Sequence, residues 1–192
     1  MSQHTITGAK QLYLEGSTMN TSYVLSFSAQ DKPGIVELVS NAVSTAGGNW
    51  SESAMSHLAG RFVGIVVIEV AKEKAEALIA AINALADQGL VISIEVLDQQ
   101  EQEISQYQAL EIELTGHDRP GIVSEISAVF AKHGANVEDL STYLVSGSMS
   151  AEMLFKADIH VSVKEGSDLD DLQEAIESIS DDLMVDMHVA ED

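Results

Sequence analysis

The stretch Asp31-Lys32-Pro33-Gly34-Ile35-Val36 recurs as Asp118-Arg119-Pro120-Gly121-Ile122-Val123. The offset between them, 87 residues, also pairs Ser40 with Ser127, Gly47 with Gly134 and Asn49 with Asn136. The two segments hold the only two prolines of the chain. Ungapped agreement over such a span marks an internal duplication.

Apolar positions repeat in the same register. Before the motif, Tyr23, Leu25 and Phe27 alternate with polar residues, as do Leu110, Ile112 and Leu114. Alternation with a period of two predicts half-buried strands. After the motif, Ile35, Val39, Ala42, Val43 and Ala46 form a helical stripe, matched by Ile122, Ile126, Val129, Phe130 and His133. Gly47 and Gly134 stand where a helix-terminating glycine belongs. Strands are expected near Asn49–His57 and Arg61–Ala71, and near Asn136–Ser146 and Glu152–Val163, with turns at Gly60 and Gly147. A second helix carries Leu78, Ile79, Ile82 and Leu85, or Leu169, Leu172, Ile176, Ile179 and Leu183. Ser167 is its expected N-cap in the second repeat, ahead of Asp168, Asp170 and Asp171 in the first turn. A last strand closes each unit, with Leu90, Ile92, Ile94 and Val96, or Val185, Met187 and Val189.

The order β-α-β-β-α-β, twice, predicts an α+β fold of two ferredoxin-like units, each an antiparallel sheet with both helices on one face. The expected division is an N-terminal extension at 1–20, a first domain at 21–98, a glutamine-rich linker at 99–106 and a second domain at 107–192. The third strands differ. In the second repeat, apolar residues alternate with Lys156, Asp158, His160 and Ser162. In the first, Phe62, Val66, Ile68 and Val70 alternate with Val63, Ile65 and Val67, also apolar. A strand apolar on both sides is usually buried on both, so the first repeat's open face is expected to be covered by residues 1–20, by the other repeat or by a partner.

The motif lies between a strand and a helix. Pro33 and Pro120 suit the first helical turn, where a missing N–H costs nothing. Gly34 and Gly121 would let a ligand approach the backbone. A helix start offers unpaired N–H groups and positive dipole density, suited to a carboxylate. Asp31 and Asp118 can accept from an ammonium, and Asn49 and Asn136 offer donors and acceptors. A zwitterionic amino acid needs this mixture. The motif also has a purely architectural reading: Asp-x-Pro-Gly is a common turn sequence, in which Asp caps the helix and Gly relieves a tight bend. Chemistry alone leaves both open.

Composition narrows the function classes. The formal charge of −22 repels phosphate backbones and anionic lipid surfaces, so no direct nucleic-acid or membrane partner is expected. There are no cysteines, which excludes disulfides, thiol catalysis and Cys-based zinc sites and fits the cytoplasm. The N-terminus lacks the basic and apolar regions of a secretory signal. None of the six histidines has a paired metal-ligand spacing. His133 falls on an apolar helical stripe near a helix C-terminus, the place of a partly buried, dipole-paired histidine. His117 and Asp118 adjoin at a strand end, where neighbours point apart, and no nucleophile motif accompanies them. The acidic run at Asp168–Asp171 lacks the spacing of a calcium loop. No catalysis and no cofactor are expected.

The segment Thr115-Gly116-His117-Asp118-Arg119-Pro120-Gly121-Ile122-Val123, followed by Gly134-Ala135-Asn136, resembles the opening half of an ACT domain. Two such modules filling nearly the whole chain, about 21–98 and 107–190, resemble the glycine cleavage system transcriptional repressor family. The resemblance implies small regulatory modules that bind amino acids between paired domains, using this turn and the start of the second strand. It implies sites at Asp118, Gly121, Ile122 and Asn136 with His117 and Arg119, and at Asp31, Gly34, Ile35 and Asn49. The fuller pattern is in the second repeat. The first has Ser28-Ala29-Gln30 where the second has Thr115-Gly116-His117, so the second is the expected principal site. The implied function is amino-acid-responsive regulation, with glycine or serine as ligand, through a protein partner such as a transcriptional activator. Modules are expected to pair either within one chain or across a homodimer. The alternative is an ACT-type scaffold that binds nothing small.

Overall fold

The computed structural model describes residues 20–97, 107–146 and 153–190. The chain divides into two compact units, Met1–Glu101 and Gln102–Asp192. The first runs β1 (Asn20–Gln30), α1 (Ile35–Thr45), β2 (Asn49–Leu58), β3 (Arg61–Ala71), α2 (Ala75–Asn83) and β4 (Val91–Val96). The second runs β5 (Tyr107–His117), α3 (Ile122–Lys132), β6 (Asn136–Ser146), β7 (Met153–Lys164), α4 (Leu169–Glu177) and β8 (Met184–Val189). Each unit is one antiparallel sheet, in the order β2-β3-β1-β4 or β6-β7-β5-β8. This is the ferredoxin-like α+β arrangement, twice. The expected extension at 1–20 (apart from Asn20), the linker at 99–106 and the turn at Gly147 lie outside the described residues.

Period-two patterning puts Tyr23, Leu25, Phe27 and Ala29 of β1 on the helix side, with Val66, Ile68 and Val70 of β3 opposite them. From α1, Ile35, Val39 and Val43 reach the same core, and from α2, Leu78 and Ile82. A short 3-10 segment continues α2 and buries Leu85. The second core repeats this with Leu110, Ile112, Leu114, Ile122, Ile126 and Phe130, closed by Leu172 and Ile176. Each fully buried aliphatic side chain contributes roughly 1.5–3 kcal/mol. Gly47 and Gly134, at φ 77° and 68°, end α1 and α3 in the left-handed conformation that favours glycine.

Two local expectations are corrected. Pro33 and Pro120 do not sit in the first helical turn: α1 and α3 begin at Ile35 and Ile122, and the prolines lie in the preceding turn. Ser167 does not cap α4. Its hydroxyl turns back to the Lys164 carbonyl (2.7 Å), and Asp168 caps instead, accepting from the Asp171 amide at 3.1 Å. On the first repeat's open face Val63 and Ile65 are 41% and 52% exposed, and the expected cover by residues 1–20 falls outside the described residues.

Candidate functional site

In the first unit, β1 ends at Gln30 and the chain turns through Asp31 to Gly34. The Asp31 amide donates to the Gly60 carbonyl (3.0 Å), tying the turn to the β2–β3 hairpin. Gly34 is the N-cap of α1 at φ 95°, and Gly121 is that of α3 at φ 94°. A side chain in this left-handed conformation strains the backbone by about 1–2 kcal/mol. A Cβ on Gly34 would meet nothing within 4 Å, so chain direction, not crowding, demands glycine.

Neither helix start receives a side-chain cap, so Asp31 and Asp118 are not capping residues. That removes the role the architectural reading gave them. The first amides of α1 receive no side-chain cap and lie at the positive end of the helix dipole. Beside them lies an open hollow of about 340 Å³, lined by Asp31, Lys32, Gly34, Ile35, Val36, Glu37 and Phe62. His57, from β2, places its Nε2 3.4 Å from Asp31 Oδ2. The hollow thus combines a carboxylate, an ammonium, backbone amides and an apolar wall.

The second turn is built differently. Arg119 forks onto Glu125, with Nη1 to Oε1 at 2.8 Å and Nη2 to Oε2 at 2.6 Å. That hydrogen bonding raises the Arg119 pKa and lowers that of Glu125. The first repeat has Lys32 and Leu38 at the corresponding places, so it cannot form this pair. The Asp118 amide donates to the Met153 carbonyl (3.2 Å), while its carboxylate has no partner among the described residues.

His117 is fixed from outside the motif. Its amide donates to Asp182 Oδ2 (2.9 Å), and its Nδ1 lies 2.5 Å from the same oxygen. Hydrogen bonds from the Ser180 hydroxyl, then from His117, hold the Asp182 carboxyl well below its ordinary range. A depressed carboxyl pKa stabilises the fold above the unfolded value, about 3.9, and this is lost as pH falls through the folded value. Asp182→Asn should therefore lower the melting temperature of the second unit at pH 7. The gap to the parent protein should close as pH is taken from about 5 to 2. Calorimetric melting checks this, and a pH-independent gap would rule the linkage out.

Asn49 and Asn136 are not near the turns of their own units. Asn49 pairs with Glu69 of β3, whereas the Asp31 turn adjoins Arg61 at the other end. Arg61 to Glu69 is a rise of roughly 26 Å at ~3.3 Å per residue. The same holds for Asn136, opposite Ser162, and the Asp118 turn, beyond Leu154. Asn136 donates to Glu138 Oε1 at 2.8 Å, and that oxygen also accepts from Ser162 Oγ at 2.5 Å. Sequence reasoning missed His57, Phe62, Glu125 and Asp182. Only Glu125 had a local signal, an acidic residue in a helix's first turn near a motif arginine.

Of the other candidates, His133 is nearly buried, at 13% side-chain exposure, with Nδ1 2.8 Å from the Val129 carbonyl and Nε2 3.2 Å from Asp171. Trp50 packs against the first core. Among the described residues no three metal-ligating side chains gather, and no helix is long and apolar enough to cross a membrane.

A model of the ACT domain family matches residues 22–95 and 108–190. The UPF0237 protein MK1213 of Methanopyrus kandleri is 38% identical over 77 residues, covering 38% of this chain and 81% of that protein. The UPF0237 protein PAE3582 of Pyrobaculum aerophilum is 41% identical over 54 residues, or 27% and 60%. Among solved structures, an unknown protein from Galdieria sulphuraria has a TM-score of 0.77 at 24% identity, over 90% of this chain and 100% of that one. A protein provisionally named a glycine cleavage system transcriptional repressor has a TM-score of 0.67 at 19% identity, over 91% and 99%. At these identities the two solved structures share the fold.

Proposed function

The chain belongs to the ACT domain family, and on that premise we propose that it is an amino-acid-responsive regulatory protein and not an enzyme. The Asp31 hollow carries this reading. An amino acid's ammonium would pair with Asp31, and its carboxylate would meet the α1 amides and Lys32. Room beside the turn suits a small ligand such as glycine or serine. The Asp118 turn, with Gly121 and Ile122, is the second site. There His117 and Arg119, held by Asp182 and Glu125, would flank the ligand, and Asp118 would meet it.

Asn49 and Asn136 reach a turn only across a pair. Two modules set edge to edge and antiparallel would bring the Asn of one beside the Asp-x-Pro-Gly turn of the other. β2 and β6 are edge strands with backbone groups open for such pairing, within a chain or in a homodimer. Ligand binding would then favour one paired state over another and change affinity for a protein partner. The strong negative charge disfavours direct contact with DNA. A transcriptional activator is the kind of partner that fits this reading; one structural relative is provisionally named a transcriptional repressor.

A thermal-shift screen of the amino acids tests the reading. A ligand at about ten times its Kd stabilises by about 1.4 kcal/mol, several degrees for a module of this size. One small amino acid should raise the melting temperature, and its stereoisomer or des-amino analogue should not. No shift with any amino acid at millimolar concentration would favour a scaffold that binds nothing small.

A further inference from the structure

The open faces of the two sheets differ in chemistry. On the second, β5, β7 and β8 present Glu111, Glu113, Lys156, Asp158, His160 and His188. On the first, the central rows are small and apolar: Val24, Ser26 and Ser28 on β1, Ala54 and Ser56 on β2, and Val63, Ile65 and Val67 on β3, with carboxylates only on the two edge strands, Glu52 opposite Val67 on β2 and Glu95 opposite Val24 on β4. Such a smooth face, with Val63 and Ile65 bare, is unusual for a sheet left to water. The charged second face is a poor mate for it, because contact would strip water from those groups without pairing them.

Along β3, between the edge carboxylates Glu52 and Glu95, the charges bordering this face have an order. Along the open side of β3 the residues read Arg61, Val63, Ile65, Val67, Glu69, so Arg61 and Glu69 stand equally far on either side of Ile65. The Arg61 guanidinium lies along the face, donating to Ser28 Oγ at 3.2 Å. A two-fold axis through Ile65, in the plane of the face and across the strands, sets Ile65 on Ile65 and Val63 on Val67. It also sets each Arg61 over the Glu69 of the other copy. The row opposite Ile65, Ser26 on β1 and Ala54 on β2, is small, so two such faces can approach closely. Three strands of nine residues and the six-residue β4, at ~4.8 Å by ~3.3 Å, give roughly 500 Å² per copy, about 1,000 Å² in all and at the lower bound of a specific interface.

We propose that the open face of the first sheet is an interface with the same face of a second copy, packed face to face about Ile65 with Arg61 of each copy against Glu69 of the other. This contact is separate from the edge-to-edge pairing of modules and does not depend on ligand binding.

The absence of native cysteines allows a direct test. Val63→Cys and Val67→Cys are made in separate full-length chains, which are then mixed. Facing sheets ~10 Å apart bring such a pair within reach of a bismaleimide spanning about 8 Å. In the proposed register a 63 site meets a 67 site, while like sites stand farther apart. The mixture should cross-link about tenfold faster than either variant alone, as a proximity effect. Ile65→Cys alone should also cross-link rapidly, and Glu76→Cys on α2 should not. Adding Arg61→Glu to both partners should slow the reaction, and adding Glu69→Arg with it should restore it. Like-site cross-linking faster than the mixture would overturn the two-fold. Rates no higher than that of Glu76→Cys, for the mixture and for Ile65→Cys, would overturn the interface.

Discussion

Leu25→Ala should split thermal unfolding into two steps, with the first unit melting well below the second. Leu25 is fully buried among Val39, Val66 and Ile82 of the first core. Truncating such a residue costs about 3–5 kcal/mol, through lost burial and the cavity left behind. A unit of this size is stabilised by roughly 4–12 kcal/mol in all, so the change removes a large share. The second core is built from residues of its own, Leu110 to Leu183, and should keep its transition. Differential scanning calorimetry separates the steps. One cooperative transition, shifted as a whole, would show that the two units do not melt independently.

Asp31→Ala should weaken amino-acid binding at the first turn by about 10- to 150-fold while leaving stability almost unchanged. The binding estimate follows from a charge-assisted hydrogen bond of about 1.5–3 kcal/mol. The stability estimate follows because the carboxylate caps no helix and its contact with His57, at 3.4 Å, is exposed. Surface changes of that kind stay within about 0.5 kcal/mol. Calorimetric titration and melting of the same variant give both numbers. A large fall in melting temperature with unchanged affinity would make Asp31 an architectural residue.

Much of the fold was legible in the sequence, because duplication supplied a second reading of every element. Tyr23, Leu25 and Phe27 marked a strand by their period, and Leu110, Ile112 and Leu114 confirmed it. What failed was local. Pro suggested a helix start at 33, but Gly34 adopts a left-handed conformation that no helix interior allows, so α1 begins after it. Ser167 and Asp168 are both good caps, and the hydroxyl's bond to Lys164 decided between them.

The candidate site was only half legible. The turns were placed correctly between strand and helix, but the sequence did not show that Asn49 and Asp31 lie at opposite ends of their own sheet. β1 runs toward the turn and α1 carries the chain back, so the start of β2 must lie far from it. The His117–Asp182 contact joins residues 65 apart, and no period or motif announces such a pairing. The second turn was expected to be the principal site on its fuller pattern. Arg119, one reason for that, is engaged by Glu125, whereas Lys32 borders a hollow. The balance of Arg61 and Glu69 about Ile65 on β3 became visible once the register was known.

The central claim is that the two Asp-x-Pro-Gly turns hold a small amino acid. A 15N–1H correlation spectrum of the full-length protein, titrated with the amino acid that gives the largest thermal shift, tests it most directly. The account predicts saturable shifts centred on the amides of Asp31–Val36, Asp118–Val123, or both, with the residues of α2 and α4 unmoved. Shifts confined to other surfaces, or none with any amino acid at millimolar concentration, would contradict it.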